Sequence, residues 1–208
     1  MFDCVRADLQ RLACQQGRRR IFYPELFIHL GFQAVFLYRL SRWFHLHRVR
    51  PVATLISYIS SVLTGAQISP RATIGRGFVM YHPQGTVVGA TAVIGENCVL
   101  THANMVGQRY GGGDRPTIGN NFYASTGAKV LGAIQIGDNV RVAANSVVLS
   151  SLPDNATAAG MPATVLKIRQ PISSRVSFAD PPHRVSLTAN PGTSRHHSSD
   201  DTVWEAEV

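Results

Sequence analysis

The sequence predicts a mostly β protein: a parallel β-helix of hexapeptide repeats, preceded by an α-helical region and followed by a disordered C-terminal tail. Three observations carry this. An aliphatic or small residue recurs at nearly every sixth position, as Ile68, Ile74, Met80, then after a slip of two residues Val88, Ile94, Leu100, Val106, and past a Gly-rich insert Ile118, Ala124, Val130, Ile136, Val142, Val148. Glycine follows the marker residue at Gly75, Gly89, Gly95, Gly107, Gly119 and Gly137. The stretch carries no helical period. A short repeat of fixed length specifies a solenoid, in which each repeat buries its apolar residue only by stacking on its neighbours. Three hexapeptides make one triangular coil, each supplying a short strand and a turn. The markers point into a narrow core, and the glycines are expected near corners whose backbone conformation most residues avoid.

Residues 1–65 read as a helical N-terminal region. Leu26, Leu30, Gln33, Leu37 and Leu40 recur at helical spacing, with Phe27, Phe32 and Phe36 widening the apolar face. Pro24 suits a helix start, Pro51 suggests a break or the start of another helix through Leu55, Ile56, Ile59 and Leu63, and Gly65 closes it. The expected role is a cap over the open end of the β-helix, since solenoids need capped ends. Phe, Trp43, Leu and Arg are intermixed here, so residues 21–63 are also a candidate for peripheral membrane contact. Residues 66–168 form the repeat domain. In residues 169–208 Ser, Pro, Arg, His and Asp dominate, as expected of a flexible tail, and the adjacent His196 and His197 lack metal-type partners.

The 208 residues suffice for one repeat domain with appendages. The net charge of +8 is carried largely by arginine, including Arg18, Arg19, Arg20, Arg42, Arg48 and Arg50 outside the repeats. That balance suits anionic partners, but no nucleic-acid-binding motif is present, and nucleic acid is not an expected partner. Cys4, Cys14 and Cys98 are few, odd in number and without metal-ligand spacing, which fits a reducing cytoplasm and no disulfide framework. No apolar signal core opens the chain. The run from Ile21 to Leu40 is interrupted by Glu25, His29 and Arg39, which argues against a transmembrane helix. The expected location is cytoplasmic or peripheral to a membrane.

Two places break the period, and interruptions of a solenoid mark binding faces more often than its coils do. One is Met80-Tyr-His-Pro-Gln-Gly85, where two extra residues enter. The other is Gln108-Arg-Tyr-Gly-Gly-Gly-Asp-Arg115, which replaces one hexapeptide. His82 lies in the first and has the chemistry of a general base near neutral pH. His102 is the only other histidine of the repeat domain and reads more readily as a surface residue. No Ser-His-Asp arrangement is evident, so no covalent intermediate is expected.

At these residues the chain resembles the serine acetyltransferase family of hexapeptide acyltransferases. The resemblance runs from about Gly65 to Lys167. It is carried by Ile68-Ser-Pro-Arg-Ala-Thr-Ile-Gly-Arg-Gly77, His82-x-x-Gly85, Val87-Val-Gly-Ala-Thr-Ala-Val-Ile-Gly95, Gly112-Gly-Asp-Arg-Pro-Thr-Ile-Gly119, Gly127-Ala-Lys-Val-Leu-Gly132 and Ala158-Ala-Gly-Met-Pro-Ala163. It implies a left-handed β-helix, a homotrimer or dimer of trimers, and acetyl-CoA as co-substrate in a groove between coils. The acceptor alcohol would lie at the same interface, and no metal is expected. His82 matches the family's catalytic base. Gly107, Ala128, Lys129 and Lys167 match positions around the CoA groove. Departures fall on the acceptor side. Gln67 stands where the family has the aspartate that orients the histidine, Tyr81 stands where a second aspartate contacts serine, and Arg115 pairs with the family's arginine only across a gap. Losing two carboxylates removes the obvious partners of an amino acid's ammonium group.

Acetyl transfer to L-serine or another small alcohol is therefore the leading expectation. A sugar hydroxyl of an exopolysaccharide or its precursor is the alternative, since similar short proteins with basic, apolar helical N-termini resemble acetyltransferases of exopolysaccharide synthesis. A β-helix enzyme of carbonic anhydrase type would need three histidine ligands, and only His82 and His102 are present in the repeats. A non-catalytic trimeric scaffold is a further alternative. A sulfhydrylase partner, bound in the family through a tail ending in isoleucine, has little support from a chain ending Glu205-Ala-Glu-Val208.

Overall fold

The computed structural model describes residues 1–15, 29–110 and 115–169. Expectations resting on Pro24 to Phe27, on the glycines of the 108–115 insert, and on the tail with His196, His197 and its terminal Val208 lie outside the described residues. Three helices come first: α1 (Phe2–Gln15), α2 (Leu30–Leu46) and α3 (Arg50–Thr64). Four coils follow. The first is β1 (Gln67–Ile68), β2 (Thr73–Ile74) and β3 (Val79–Met80), and the second is β4 (Val87–Val88), β5 (Val93–Ile94) and β6 (Val99–Leu100). The third is β7 (Met105–Gly107), β8 (Thr117–Ile118) and β9 (Tyr123–Ala124), and the fourth is β10 (Lys129–Leu131), β11 (Gln135–Ile136) and β12 (Arg141–Val142). The last described elements are β13 (Val147–Val148), β14 (Ala156–Gly160) and β15 (Ala163–Ile168).

Each side of the prism is one sheet. The first sheet runs β1-β4-β7-β10-β13, the second β2-β5-β8-β11, and the third β3-β6-β9-β12-β14-β15. Pairing is parallel until β15 turns back antiparallel on β14. Register places marker on marker: Ile68 on Val88, Ile74 on Ile94, Met80 on Leu100. Every marker from Ile68 to Val148 is buried. The residue two before the marker is buried as well, as Ala72, Phe78, Ala92, Cys98, Phe122 and Val140 show. Inside this core, burial pushes the Cys98 thiol up to about 12, so it stays protonated and packs as a small apolar group.

The glycines that follow the markers serve a different purpose from the one expected. Gly75, Gly95, Gly119 and Gly137 form a column at the corner between the second and third sheets, and none has a positive φ. A Cβ on Gly75 would lie 2.6 Å from the Gly95 carbonyl carbon, and one on Gly95 would lie 2.6 Å from the Gly119 oxygen. Close approach of successive coils therefore excludes a side chain. The left-handed conformation falls two residues later, at Gly77 and then at Asn97, Asn121, Asn139 and Asn155. Asparagine tolerates that region, and here it also forms a ladder: Asn121 Nδ2 donates to Asn139 Oδ1 at 3.1 Å, and Asn139 Nδ2 to Asn155 Oδ1 at 3.1 Å.

The helices close the first coil. Its outward carbonyls have no preceding coil to bond, and a buried unpaired carbonyl is costly. Ser57 Oγ donates to Ile68 O at 3.2 Å, Tyr38 Oη to Ala72 O at 2.9 Å, Arg39 Nη1 to Ile74 O at 2.6 Å and Arg39 Nη2 to Gly75 O at 2.5 Å. Arg42 also donates to the Ala72 carbonyl. The Arg39 charge is paired with Asp8 of α1, Nε to Oδ2 at 3.0 Å and Nη2 to Oδ1 at 3.2 Å, while Asp8 Oδ1 accepts the Phe78 N–H at 2.8 Å. Burial pushes the Asp8 carboxyl up, and Arg39 and the Phe78 amide pull against it. The most buried face of α2 is Gly31, Ala34, Val35, Tyr38 and Arg39, not the expected line of Leu30, Gln33, Leu37 and Leu40. Small residues let the helix reach the coil, and polar ones satisfy it. Pro51 stands in the first turn of α3, and Gly65 ends it with φ 70°.

Among the described residues no helix is long and apolar enough to cross a membrane, and no group of three or more His, Cys, Asp or Glu could hold a metal. Arg39→Met should strand the buried Asp8 carboxylate and lower the stability by about 3–5 kcal/mol, whereas Arg39→Met with Asp8→Leu should recover part of that loss. Chemical denaturation midpoints of the two variants provide the check.

Candidate active site

The corner joining the third sheet to the first is turned by four residues in the later coils: Thr101–Asn104, 125–128 and 143–146. In the first coil the same corner takes six, residues 81–86. The ladder holds both ends of this turn. Tyr81 N donates to Leu100 O at 2.9 Å, Gly85 N to Gly65 O at 2.9 Å, Ala103 N to Gln84 O at 3.1 Å and Thr86 N to Pro83 O at 3.1 Å. The extra length is taken up at His82, whose φ is 48°. A histidine in the left-handed region is uncommon, and such strain clusters at functional positions. Its ring is exposed, and among the described residues nothing within the protomer hydrogen-bonds it.

A buried polar network supports this corner. Asn104 is fully buried; its Oδ1 accepts Thr101 N–H at 2.6 Å, and its Nδ2 donates to Ser125 O at 2.7 Å and Ala128 O at 3.3 Å. Asn104 N donates to Thr86 Oγ1 at 3.3 Å, and Thr101 Oγ1 to Ala124 O at 3.0 Å. The sequence reading passed over Asn104 and Thr86. Their signal is a polar residue two before the marker, where Ala66, Ala72, Ala92 and Cys98 stand in other repeats.

The other expected residues fall in three places. Gln67 is on β1; its backbone N–H donates to Thr86 O at 2.9 Å, at the end of the His82 turn, and its side chain faces outward from the first sheet. Register continues that outward column through Val87 and Met105 to Lys129. Ala128 is buried just before Lys129, at the same corner as His82 but two coils on. Lys167 is exposed on β15, opposite Thr157. Gly107 ends β7 beside Leu131, and a Cβ there would meet nothing within 4 Å. Along the first sheet Gln67 and Lys129 are three inter-strand spacings apart, roughly 14 Å, and the His82 turn lies two coils before Lys129. That separation suits a long ligand with a reacting group at one end and phosphates at the other.

Arg115 is elsewhere. It precedes β8 at the corner between the first and second sheets, where it lines a cleft of about 410 Å³ with His45, Arg71 and Thr73. One protomer therefore does not bring Arg115 to His82. Tyr81 turns away from the candidate site and packs with Leu12, Phe32, Val79 and Val99, and burial raises its phenol pKa. His102 lies within the next coil's corner, beside Ala103, whose N–H donates to Gln84 O at 3.1 Å.

No described carboxylate is hydrogen-bonded or ion-paired to His82. Asp3 lies in the first turn of α1, and Asp8 is bound to Arg39. Glu96 pairs with Arg76 at 3.1 Å. Asp138 Oδ1 accepts Asn120 N–H at 2.6 Å and Asp154 Oδ1 accepts Asp138 N–H at 2.8 Å, both beside the glycine column.

No protein-family model matches the chain. Curated relatives do. The serine acetyltransferase of Synechococcus elongatus is 36% identical over 168 residues, covering 80% of this chain and 69% of the relative. That of Helicobacter pylori (strain J99) is 38% identical over 165 residues, 78% of this chain and 96% of the relative. Among solved structures, the Brucella abortus serine acetyltransferase in complex with coenzyme A has a TM-score of 0.75 at 33% identity, covering 81% of this chain and 68% of that one. The soybean enzyme complexed with serine has a TM-score of 0.74 at 32% identity, covering 79% and 68%. The chain spans about two thirds of the length of such solved chains. With the coil order, the lengthened His82 corner and a relative matched over nearly its whole length, this chain belongs to the serine acetyltransferase family of acyltransferases.

Proposed function

We propose that the protein transfers the acetyl group of acetyl-CoA to a small alcohol of the L-serine type, with His82 as general base. The observation that carries the reading is the His82 turn: an exposed imidazole, held at φ 48° by a lengthened corner in a family whose solved members bind coenzyme A and serine. His82 takes the proton of the acceptor hydroxyl as that oxygen attacks the thioester carbonyl carbon. The tetrahedral oxyanion is held by nearby N–H or hydroxyl donors. Collapse expels the CoA thiolate, which recovers the proton from the imidazolium. Acetyl-CoA would lie along the first sheet. The open space at Gly107 and the buried Ala128 would leave room for it, and Lys129 and Lys167 would meet its phosphates. Gln67, tied through its backbone to the end of the His82 turn, would orient the ring through its amide oxygen, in place of the aspartate that the resemblance implies there.

The active unit in this reading is a homotrimer or a dimer of trimers. The supporting observation is the separation of His82 and Arg115 on different corners of one prism. They act on one acceptor only if a neighbouring protomer supplies one of them.

A second reading concerns the acceptor. Among the described residues Asp8, Glu96, Asp138 and Asp154 are bonded elsewhere and none is bonded to His82, which leaves an ammonium group without an evident partner there. A neutral sugar hydroxyl needs no such partner, and in this reading the protein acetylates an exopolysaccharide or its precursor.

Free-thiol release from acetyl-CoA, with L-serine and a panel of sugars and glycans, separates these readings. Turnover with serine supports the first, and turnover with a glycan alone supports the second. His82→Ala should lower kcat by about 10²–10⁴-fold while leaving the assembly intact; full activity in this variant would remove His82 from the mechanism. Mixing His82→Ala protomers with Arg115→Ala protomers and allowing exchange should restore part of the activity that each variant lacks. No recovery on mixing would place both residues in the same protomer's site or remove Arg115 from it.

A further inference from the structure

Helix α3 is inside-out. Its buried residues are Ala53, Ser60 and Thr64, with Ser57 half-buried and bonded to the Ile68 carbonyl. Ser41 of α2 donates to the Ala53 carbonyl across the helix pair, and Thr64 Oγ1 donates to Ser60 O. The face toward the protein is thus small and polar. The opposite face carries Leu55, Tyr58, Ile59, Val62 and Leu63, each between 41% and 68% exposed. The turn leading into α3 continues the apolar surface with Leu46, 64% exposed, and Val49, 40% exposed. A large contiguous apolar surface on a folded chain marks a docking site.

The charges around this face are all of one sign. From His29 to Gly95 the sequence contains no Asp or Glu, and it contains Arg39, Arg42, Arg48, Arg50, Arg71 and Arg76. Arg39 is consumed in the buried pair with Asp8, while Arg48, Arg50 and Arg71 are exposed. Arg48 and Arg50 sit in the turn and first residue of α3, and Arg50 and Arg71 line a common cleft with His45 and Thr54. We propose that α3 and the preceding turn dock on an anionic lipid surface. The aliphatic and tyrosine side chains enter the headgroup–acyl boundary, and Arg48, Arg50 and Arg71 meet the phosphates. A two-fold contact between copies of this face would set the arginines of one copy against those of the other, with no carboxylate in the described helices α2 and α3 to offset them. An anionic bilayer supplies that counter-charge.

The test is co-sedimentation of the full chain with vesicles of phosphatidylcholine alone and of an equimolar phosphatidylcholine–phosphatidylglycerol mixture. The expected result is binding to the mixed vesicles, weak binding to neutral ones, and release by raised salt. Replacing Arg48→Gln and Arg50→Gln should weaken binding by roughly fivefold per arginine. Leu55→Ser with Val62→Ser should abolish it, and Tyr58→Gln alone, the milder change, should weaken it. Thiol release, followed in the same samples without lipid, should match the parent in all variants, so loss of docking is distinguishable from loss of the active site. Failure to bind mixed vesicles, or equal binding to neutral ones, overturns the proposal. So does a smaller assembly for Leu55→Ser with Val62→Ser in lipid-free buffer, which would assign the face to a second copy.

Discussion

The structure depends on how closely its coils stack. A parallel β-helix has one backbone hydrogen-bonding direction, along its axis, and every strand and corner must meet the next at strand spacing. That constraint sets the column of Gly75, Gly95, Gly119 and Gly137, where the next coil's backbone occupies the place of a side chain. It sets the asparagine ladder, which pairs side chains where the chain turns left-handed. It also makes the first coil a problem, because that coil's outward carbonyls face nothing of their own kind. The Arg39–Asp8 pair is the answer: one guanidinium reaches two carbonyls, and one carboxylate binds both the guanidinium and the Phe78 amide. A buried ion pair is weak evidence for stability by itself. Here it is matched to backbone groups that would otherwise be left unpaired.

The same constraint explains where chemistry can be placed. A coil side offers two or three residues per strand, alternately in and out, with their positions dictated by the ladder. A corner can be lengthened without disturbing either neighbour, as long as the strands on both sides keep register. Residues 81–86 do this. The extra length is taken up at His82, and the buried Asn104 network stands in the corner of the next coil. In the proposed reading, an imidazole raised from the ladder by such a turn would meet a substrate arriving from outside the prism.

Much of the fold was legible in the sequence because the six-residue period is a direct image of the coil. The marker residues, the two-residue slip and the start and end of α3 at Pro51 and Gly65 all have local physical causes. The glycines were legible as repeats but not in their purpose, since close approach of a neighbouring coil cannot be read from one coil's sequence. The face of α2 that meets the solenoid was misplaced for a related reason: a helix that caps carbonyls buries Tyr38 and Arg39, so apolar periodicity points to the wrong side. At the candidate site, His82 stood out as a break in the period. Tyr81 looked equally placed, yet it packs under α1 with Leu12. Asn104 was hidden because a single polar residue in a core column has meaning only once the hydrogen bonds around it are known.

The antiparallel return of β15 on β14 has a consequence for the size of the particle. A stack of parallel coils has no intrinsic length, and a bare terminal coil is a template for another chain's edge, as in any cross-β assembly. Here the third sheet ends by folding back on itself, and the opposite end is covered by helices whose polar side chains occupy the acceptor groups of the first coil. The solenoid is thereby a bounded object with two different ends. Both ends of the ladder are thus covered by the chain's own elements, one by a returning strand and the other by helices.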